Sequence, residues 1–123
     1  MITSVHHIAI IVSSEHSLDF YRLLGFNETL RKERDYDTVV LMENGSTELV
    51  IFIDPSHPEH PADDRELPIG VRHIALKTSD FDEEVGRLRR AGLDVGEVDL
   101  DWRGQRYVFV KDFDGITVEL HEE

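Results

Sequence analysis

Two histidines and two glutamates, His7, Glu48, His73 and Glu119, each fall in a short run of β-branched and apolar residues. Glu48 precedes Leu49-Val50-Ile51-Phe52, and Glu119 lies between Val118 and Leu120. A strand carboxylate in such company is costly to bury unless something pairs with it. Side chains alternate across a strand, so His7 shares a face with Ala9 and Ile11, and His73 with Ala75 and Lys77. Glu48 likewise lies with Val50 and Phe52, and Glu119 with Thr117 and His121. Taken singly, a strand His is more often a hydrogen-bonded core residue, and a strand Glu often sits at an edge. Both types recur, however, and two imidazoles with two carboxylates form a donor set for a divalent ion such as Zn, Ni, Co, Mn or Fe(II). One or two positions would remain for water or substrate. His6 is expected to point to the opposite face as a structural residue. His121 is expected at the rim, and His57 and His60 read as polar loop residues.

The recurrence extends along the chain. Val5-His6-His7-Ile8-Ala9-Ile10 returns as Val71-Arg72-His73-Ile74-Ala75-Leu76, and Tyr21-Arg22-Leu23-Leu24-Gly25-Phe26 as Leu88-Arg89-Arg90-Ala91-Gly92-Leu93. Asn44-Gly45-Ser46-Thr47-Glu48-Leu49 answers Asp114-Gly115-Ile116-Thr117-Val118-Glu119-Leu120, which sets Glu48 against Glu119. Two halves of about sixty residues are each small for an independent core, so they are expected to pack as one domain.

The elements that position these residues follow one order in each half. In the first half, residues 4–12 read as a strand buried on both faces, and 14–24 as a helix stopped by Gly25. Strands are expected at 27–34, 38–43 and 48–53, with Asn44-Gly45 as a hairpin turn. The second half predicts a strand at 71–78, Asp80 as helix cap, a helix over 81–91 and Gly92 as its stop. Strands near 94–100, 106–111 and 116–121 complete it. The expected fold is α+β: two βαβββ modules, residues 1–53 and 70–123, forming a cupped, eight-stranded mixed sheet. Residues 54–69, rich in proline and charge, read as the linker.

Composition removes several classes of function. The 123 residues carry 26 acidic against 13 basic side chains, a net charge of -13. Such a surface repels phosphate backbones and anionic lipid, so no nucleic-acid or membrane partner is expected. The chain has no cysteine, which excludes disulfides, thiolate metal sites and a Cys nucleophile. The apolar run Ile8–Val12 is too short for a signal-peptide core or a membrane span, and a cytoplasmic location is expected.

His6-His7-Ile8-Ala9-Ile10, Phe20-Tyr21-Arg22-Leu23-Leu24-Gly25-Phe26, Val71-Arg72-His73-Ile74-Ala75-Leu76 and Asp112-Phe113-Asp114-Gly115-Ile116-Thr117-Val118-Glu119-Leu120 occur in order. With them the chain resembles the vicinal oxygen chelate superfamily, the group of glyoxalase I, bleomycin resistance proteins and extradiol dioxygenases. The resemblance implies a glyoxalase I-like lyase or isomerase, with a divalent metal held by His7, Glu48, His73 and Glu119. It also implies a small-molecule substrate chelated through two vicinal oxygens, with Glu119 as the base and Glu48 its alternative. Ile11 stands where bacterial glyoxalases carry an arginine that contacts glutathione, so a different adduct or an α-hydroxycarbonyl compound is open. Lys77, at the matching place in the second half, either holds an acidic substrate group or is a solvent-facing strand end. Phe52 and Phe109 would line the apolar part of the cleft. Partner chains complete the cup in many relatives, so a homodimer is expected. Two other readings remain at this point: a metal-free small-molecule binding protein, and an iron oxygenase with two histidines and one glutamate.

Overall fold

The computed structural model describes residues 1–123, which divide into two compact units, Met1–Pro58 and Glu59–Glu123. The division falls inside the segment expected as linker. The first unit runs β1 (Ile8–Val12), α1 (Ser17–Leu23), β2 (Asn27–Glu33), β3 (Thr38–Asn44) and β4 (Thr47–Ile53). Its sheet has the order β1-β4-β3-β2, with β1 and β4 parallel and the other pairs antiparallel. The second unit opens with a short 3-10 turn, Asp64–Glu66, and continues β5 (Ile74–Thr78), α2 (Phe81–Arg90), β6 (Asp94–Val95), β7 (Asp99–Leu100), β8 (Arg106–Lys111) and β9 (Thr117–Glu122). Its sheet has the order β5-β9-β8-β6, with β7 also paired to β8 and β5 parallel to β9. The fold is α+β with two mixed sheets, of four and five strands, and nine strands in place of the expected eight.

The extra strand comes from the segment 94–100, which is broken between β6 and β7. There the Gly96 N–H donates to the Phe109 carbonyl at 2.8 Å, and a Cβ on Gly96 would stand 3.4 Å from that oxygen. The backbones approach closely at this glycine, and the ladder is interrupted between β6 and β7.

In each unit one sheet face is buried and the other is left open. Val12, Val40, Met42, Leu49 and Ile51 are at most 1% exposed, and α1 supplies Leu18, Phe20 and Tyr21 to the same core. The opposite face of β1 carries Ala9 and Ile11, both exposed. The expectation that the first strand is buried on both faces is therefore corrected: Ile8 and Ile10 are half-buried on one side only. In the second unit Val108, Val110, Val118 and Leu120 are buried with Phe81, Val85 and Leu88 of α2, while Ala75 and Lys77 are exposed.

Local signals behave as the residues suggest, with three corrections. The hairpin between β3 and β4 turns at Gly45-Ser46, because Asn44 and Thr47 form its last pair. Asp80 occupies the N-cap of α2 but makes no side-chain capping bond; its own N–H is held by Thr78 Oγ1 at 3.1 Å. Residues 14–16 form a turn ahead of α1 rather than its first helical residues. Gly25 stops α1 at φ +95°, where a Cβ would stand 2.9 Å from Asn44 Nδ2, itself donating to the Leu24 carbonyl. Gly25→Ala is expected to destabilise the chain by about 1–2 kcal/mol, measured by chemical unfolding; an unchanged midpoint would show that the turn relaxes freely. No helix is long and apolar enough to cross a membrane.

Candidate functional site

The open face of the second unit gathers the chemistry. Paired residues on neighbouring strands share a face, so the register defines rows across it. Ala75, Glu119 and Phe109 form one row, and Lys77, His121 and Tyr107 the next. His73 lies one residue before β5 rather than within it, on the side of Glu119 away from Lys77. Its Nε2 stands 3.4 Å from Glu119 Oε1, with the two side chains 24% and 17% exposed. The imidazole meets the edge of Phe109, ring centroids 5.4 Å apart, and Phe109 in turn meets Tyr107 at 5.3 Å. His73 Nδ1 is buried without any hydrogen-bond partner. A buried polar atom in that state costs about 1–3 kcal/mol, which this fold tolerates at one of the sequence-predicted residues.

In the first unit His7 also precedes its strand by one residue and is exposed. His6 does not point away as expected: its Nδ1 lies 2.9 Å from His7 Nδ1, with the rings edge to face. That bond occupies His7 Nδ1 and leaves Nε2 as its open nitrogen. Glu48 is half-buried on the open face of β4, paired with Glu43 across the hairpin.

The register corrects one inference from the repeat. Ile8 pairs with Leu49 and Ala9 with Val50, whereas Ile74 pairs with Val118 and Ala75 with Glu119. The counterpart of Glu119 in the first unit is therefore Val50, and the counterpart of Glu48 is Thr117. Matching the two glutamates by their neighbours in sequence placed them one row out of step. Ile11 and Phe52 pair with one another and occupy the places of Lys77 and His121. At those two places the first open face is apolar where the second is charged, although the same row of the first unit continues through Val39 to Lys32.

His121 is more than a rim residue. Its Nε2 lies 2.7 Å from Asp101 Oδ2 and its Nδ1 faces the Glu122 carbonyl. A carbonyl and a carboxylate only accept, so both ring nitrogens must carry protons. The Asp101 carboxylate and the Glu122 carbonyl raise the His121 pKa. His121, together with the N–H groups of Gln105 and Arg103, brings Asp101 down to about 2. This pair ties the loop at 101–105 to β9, a role that spacing alone did not reveal. A raised His pKa contributes stability below the unfolded value near 6.5, lost as pH rises through the folded value. The depressed Asp101 contributes above its ordinary value and is lost as pH falls through about 2. Asp101→Asn is expected to lower the His121 pKa in an NMR titration; an unmoved titration would dissolve the pair.

Other candidates stand apart. His57 Nε2 is 3.2 Å from Asp54, and His60 Nδ1 bonds the Pro61 carbonyl. Lys111 is spent on Asp64 and Thr117. No three His, Asp or Glu side chains gather as a metal cluster. The donors present are chemically suited to a divalent ion: imidazole and carboxylate oxygen face each other in the second unit, and His7 presents a free Nε2 in the first.

These features define an α+β protein of paired modules with a histidine at the foot of each first strand. The family profile described as Glyoxalase/Bleomycin resistance protein/Dioxygenase superfamily matches residues 4–120, and the chain belongs to that superfamily. A glyoxalase family protein from Enterococcus faecalis is 30% identical with a TM-score of 0.88, and 97% of each chain is covered. A lactoylglutathione lyase from Agrobacterium tumefaciens shares the fold at 22% identity and a TM-score of 0.72, covering 98% of this chain and 93% of that one. The genomically encoded fosfomycin resistance protein FosX from Listeria monocytogenes does so at 20% and 0.75, covering 100% and 95%. A search of curated proteins found no match.

Proposed function

We propose that this protein is a cytoplasmic, homodimeric, metal-dependent enzyme that moves a proton between adjacent carbons of a small substrate bearing two vicinal oxygens, as glyoxalase I does. The observation that carries this reading is the His73 Nε2–Glu119 Oε1 approach of 3.4 Å on an open, half-buried face beside Phe109. His7, His73 and Glu119 supply the donors, drawn from both modules of one chain or of two copies. Glu48 ranks behind them because Val50 holds the place that corresponds to Glu119. When bound, a divalent ion supplies Lewis acidity to the substrate oxygens.

The chain's own part is proton handling and positioning. Glu119 Oε1 takes the proton from the substrate carbon and returns it to the neighbouring one, so the reaction is an isomerisation with no net oxidant. Phe109, the cross-strand neighbour of Glu119, flanks the carboxylate on one side. Ile11 and Phe52 offer apolar surface to the substrate body.

A second reading, an oxygenase with two histidines and one glutamate, is favoured by Val50 at the fourth position. Metal analysis followed by assay separates the readings. Proton exchange into a vicinal-oxygen substrate from D2O, without oxygen uptake, is expected. Oxygen uptake by the Fe(II)-loaded protein would favour the second reading. A protein that binds small molecules but never retains a divalent metal would remove both.

A further inference from the structure

His6 and His7 stand side by side just before β1, and both are exposed. Their Nδ1 atoms are 2.9 Å apart, with the rings edge to face at 85° and the centroids 5.2 Å apart. A hydrogen bond between two neutral imidazoles has one donor and one acceptor, so the pair has two arrangements. Where His6 donates, the His7 proton sits on Nε2, and that nitrogen has no lone pair to give. Where His7 donates, its Nε2 is bare, and His6 keeps its own proton on its Nε2.

The second module lacks this partner. Val5-His6-His7 aligns with Val71-Arg72-His73, and a guanidinium only donates, so Arg72 cannot receive a proton from an imidazole. His73 Nδ1 is buried without a hydrogen bond, while its Nε2 faces Glu119 Oε1 at 3.4 Å. With Nε2 given to a metal, the ring proton of His73 would sit on Nδ1, where nothing receives it. The two histidines are therefore prepared differently. One has an acceptor behind it, and the other has none.

Resting on the metal reading above, we propose that His6 is a positioning residue whose Nδ1 accepts the Nδ1–H of His7. That bond fixes the tautomer in which His7 Nε2 is free to hold a divalent ion. The tautomer of a histidine ligand is set by the hydrogen bond its other nitrogen makes, and such outer partners contribute about 10–100-fold in metal affinity. Because His6 and His7 are adjacent in sequence, the acceptor arrives with the ligand and needs no distant element to place it.

The test compares two substitutions of His6 in the full chain. His6→Phe keeps a ring for the edge contact but has no acceptor. His6→Asn lacks the ring but offers an amide oxygen as acceptor. Zinc affinity is measured by competition with a chromogenic chelator, and long-range nitrogen–proton NMR of the metal-free protein reads which His7 nitrogen carries the proton. The unmodified protein is expected to show His7 protonated on Nδ1. His6→Phe should bind zinc about 10–100-fold more weakly and show mixed His7 tautomers, and His6→Asn should recover most of both. Unchanged zinc affinity in His6→Phe, or a His7 proton on Nε2 in the unmodified protein, would overturn the inference while the ligand role of His7, read from His7→Ala, stands. A loss in His6→Asn as deep as in His6→Phe would mean that His6 holds the ion itself, which also overturns it. Zinc binding that survives His7→Ala would remove the metal reading and this inference with it.

Discussion

Glu119→Gln is expected to lower turnover of the metal-loaded enzyme by about 10²–10⁴-fold, the contribution a positioned general base makes. The amide keeps the size of the side chain and one oxygen donor but has no basic carboxylate. Weaker metal retention would mimic part of the loss, so the rates belong at matched metal occupancy. Glu48→Gln is the internal comparison. It sits on an open sheet face like Glu119, yet one row away from the position that corresponds to it, so its effect should be much smaller. Near-normal turnover in Glu119→Gln would end the assignment. A dead Glu48→Gln beside an active Glu119→Gln would reverse the roles of the two carboxylates.

The second large effect concerns the metal. His73→Ala is expected to reduce affinity for a divalent ion by more than the 10–100-fold, approximately, that the loss of an outer-shell partner costs. Its stability in the metal-free form should change little. The substitution gives up the edge contact with Phe109 but also removes the unpartnered buried Nδ1. Those two consequences oppose each other. His7→Ala should likewise release metal, since His7 keeps Nε2 open while Nδ1 is tied to His6. His121→Ala supplies the contrast: it should free the loop at 101–105 and leave metal content intact. Elemental analysis and thermal unfolding of the three variants decide the matter. Retention of a full complement of metal by His73→Ala would show that the site lies elsewhere.

Residue order alone determined the doubled βαβββ plan, the helix stops at Gly25 and Gly92, and the histidine at the start of each module. These follow from hydrophobic period and glycine chemistry, which act over a few residues and need no partner strand. The open faces were not legible, because an apolar run such as Ile8–Val12 reads the same whether one face is covered or two. Nor was the His121–Asp101 pair, whose members lie twenty positions apart and meet through the return of β8 and β9. The relation between Glu48 and Glu119 was decided by tertiary structure alone. The hairpins before them differ, turning at 45–46 in the first unit and at 112–116 in the second, so similar flanking residues do not mark similar heights. Height is set by the hydrogen-bond register with β1 and β5, and a slip of two residues keeps the face while moving the side chain a full row. That slip puts Val50, not Glu48, opposite Ala9 as Glu119 stands opposite Ala75.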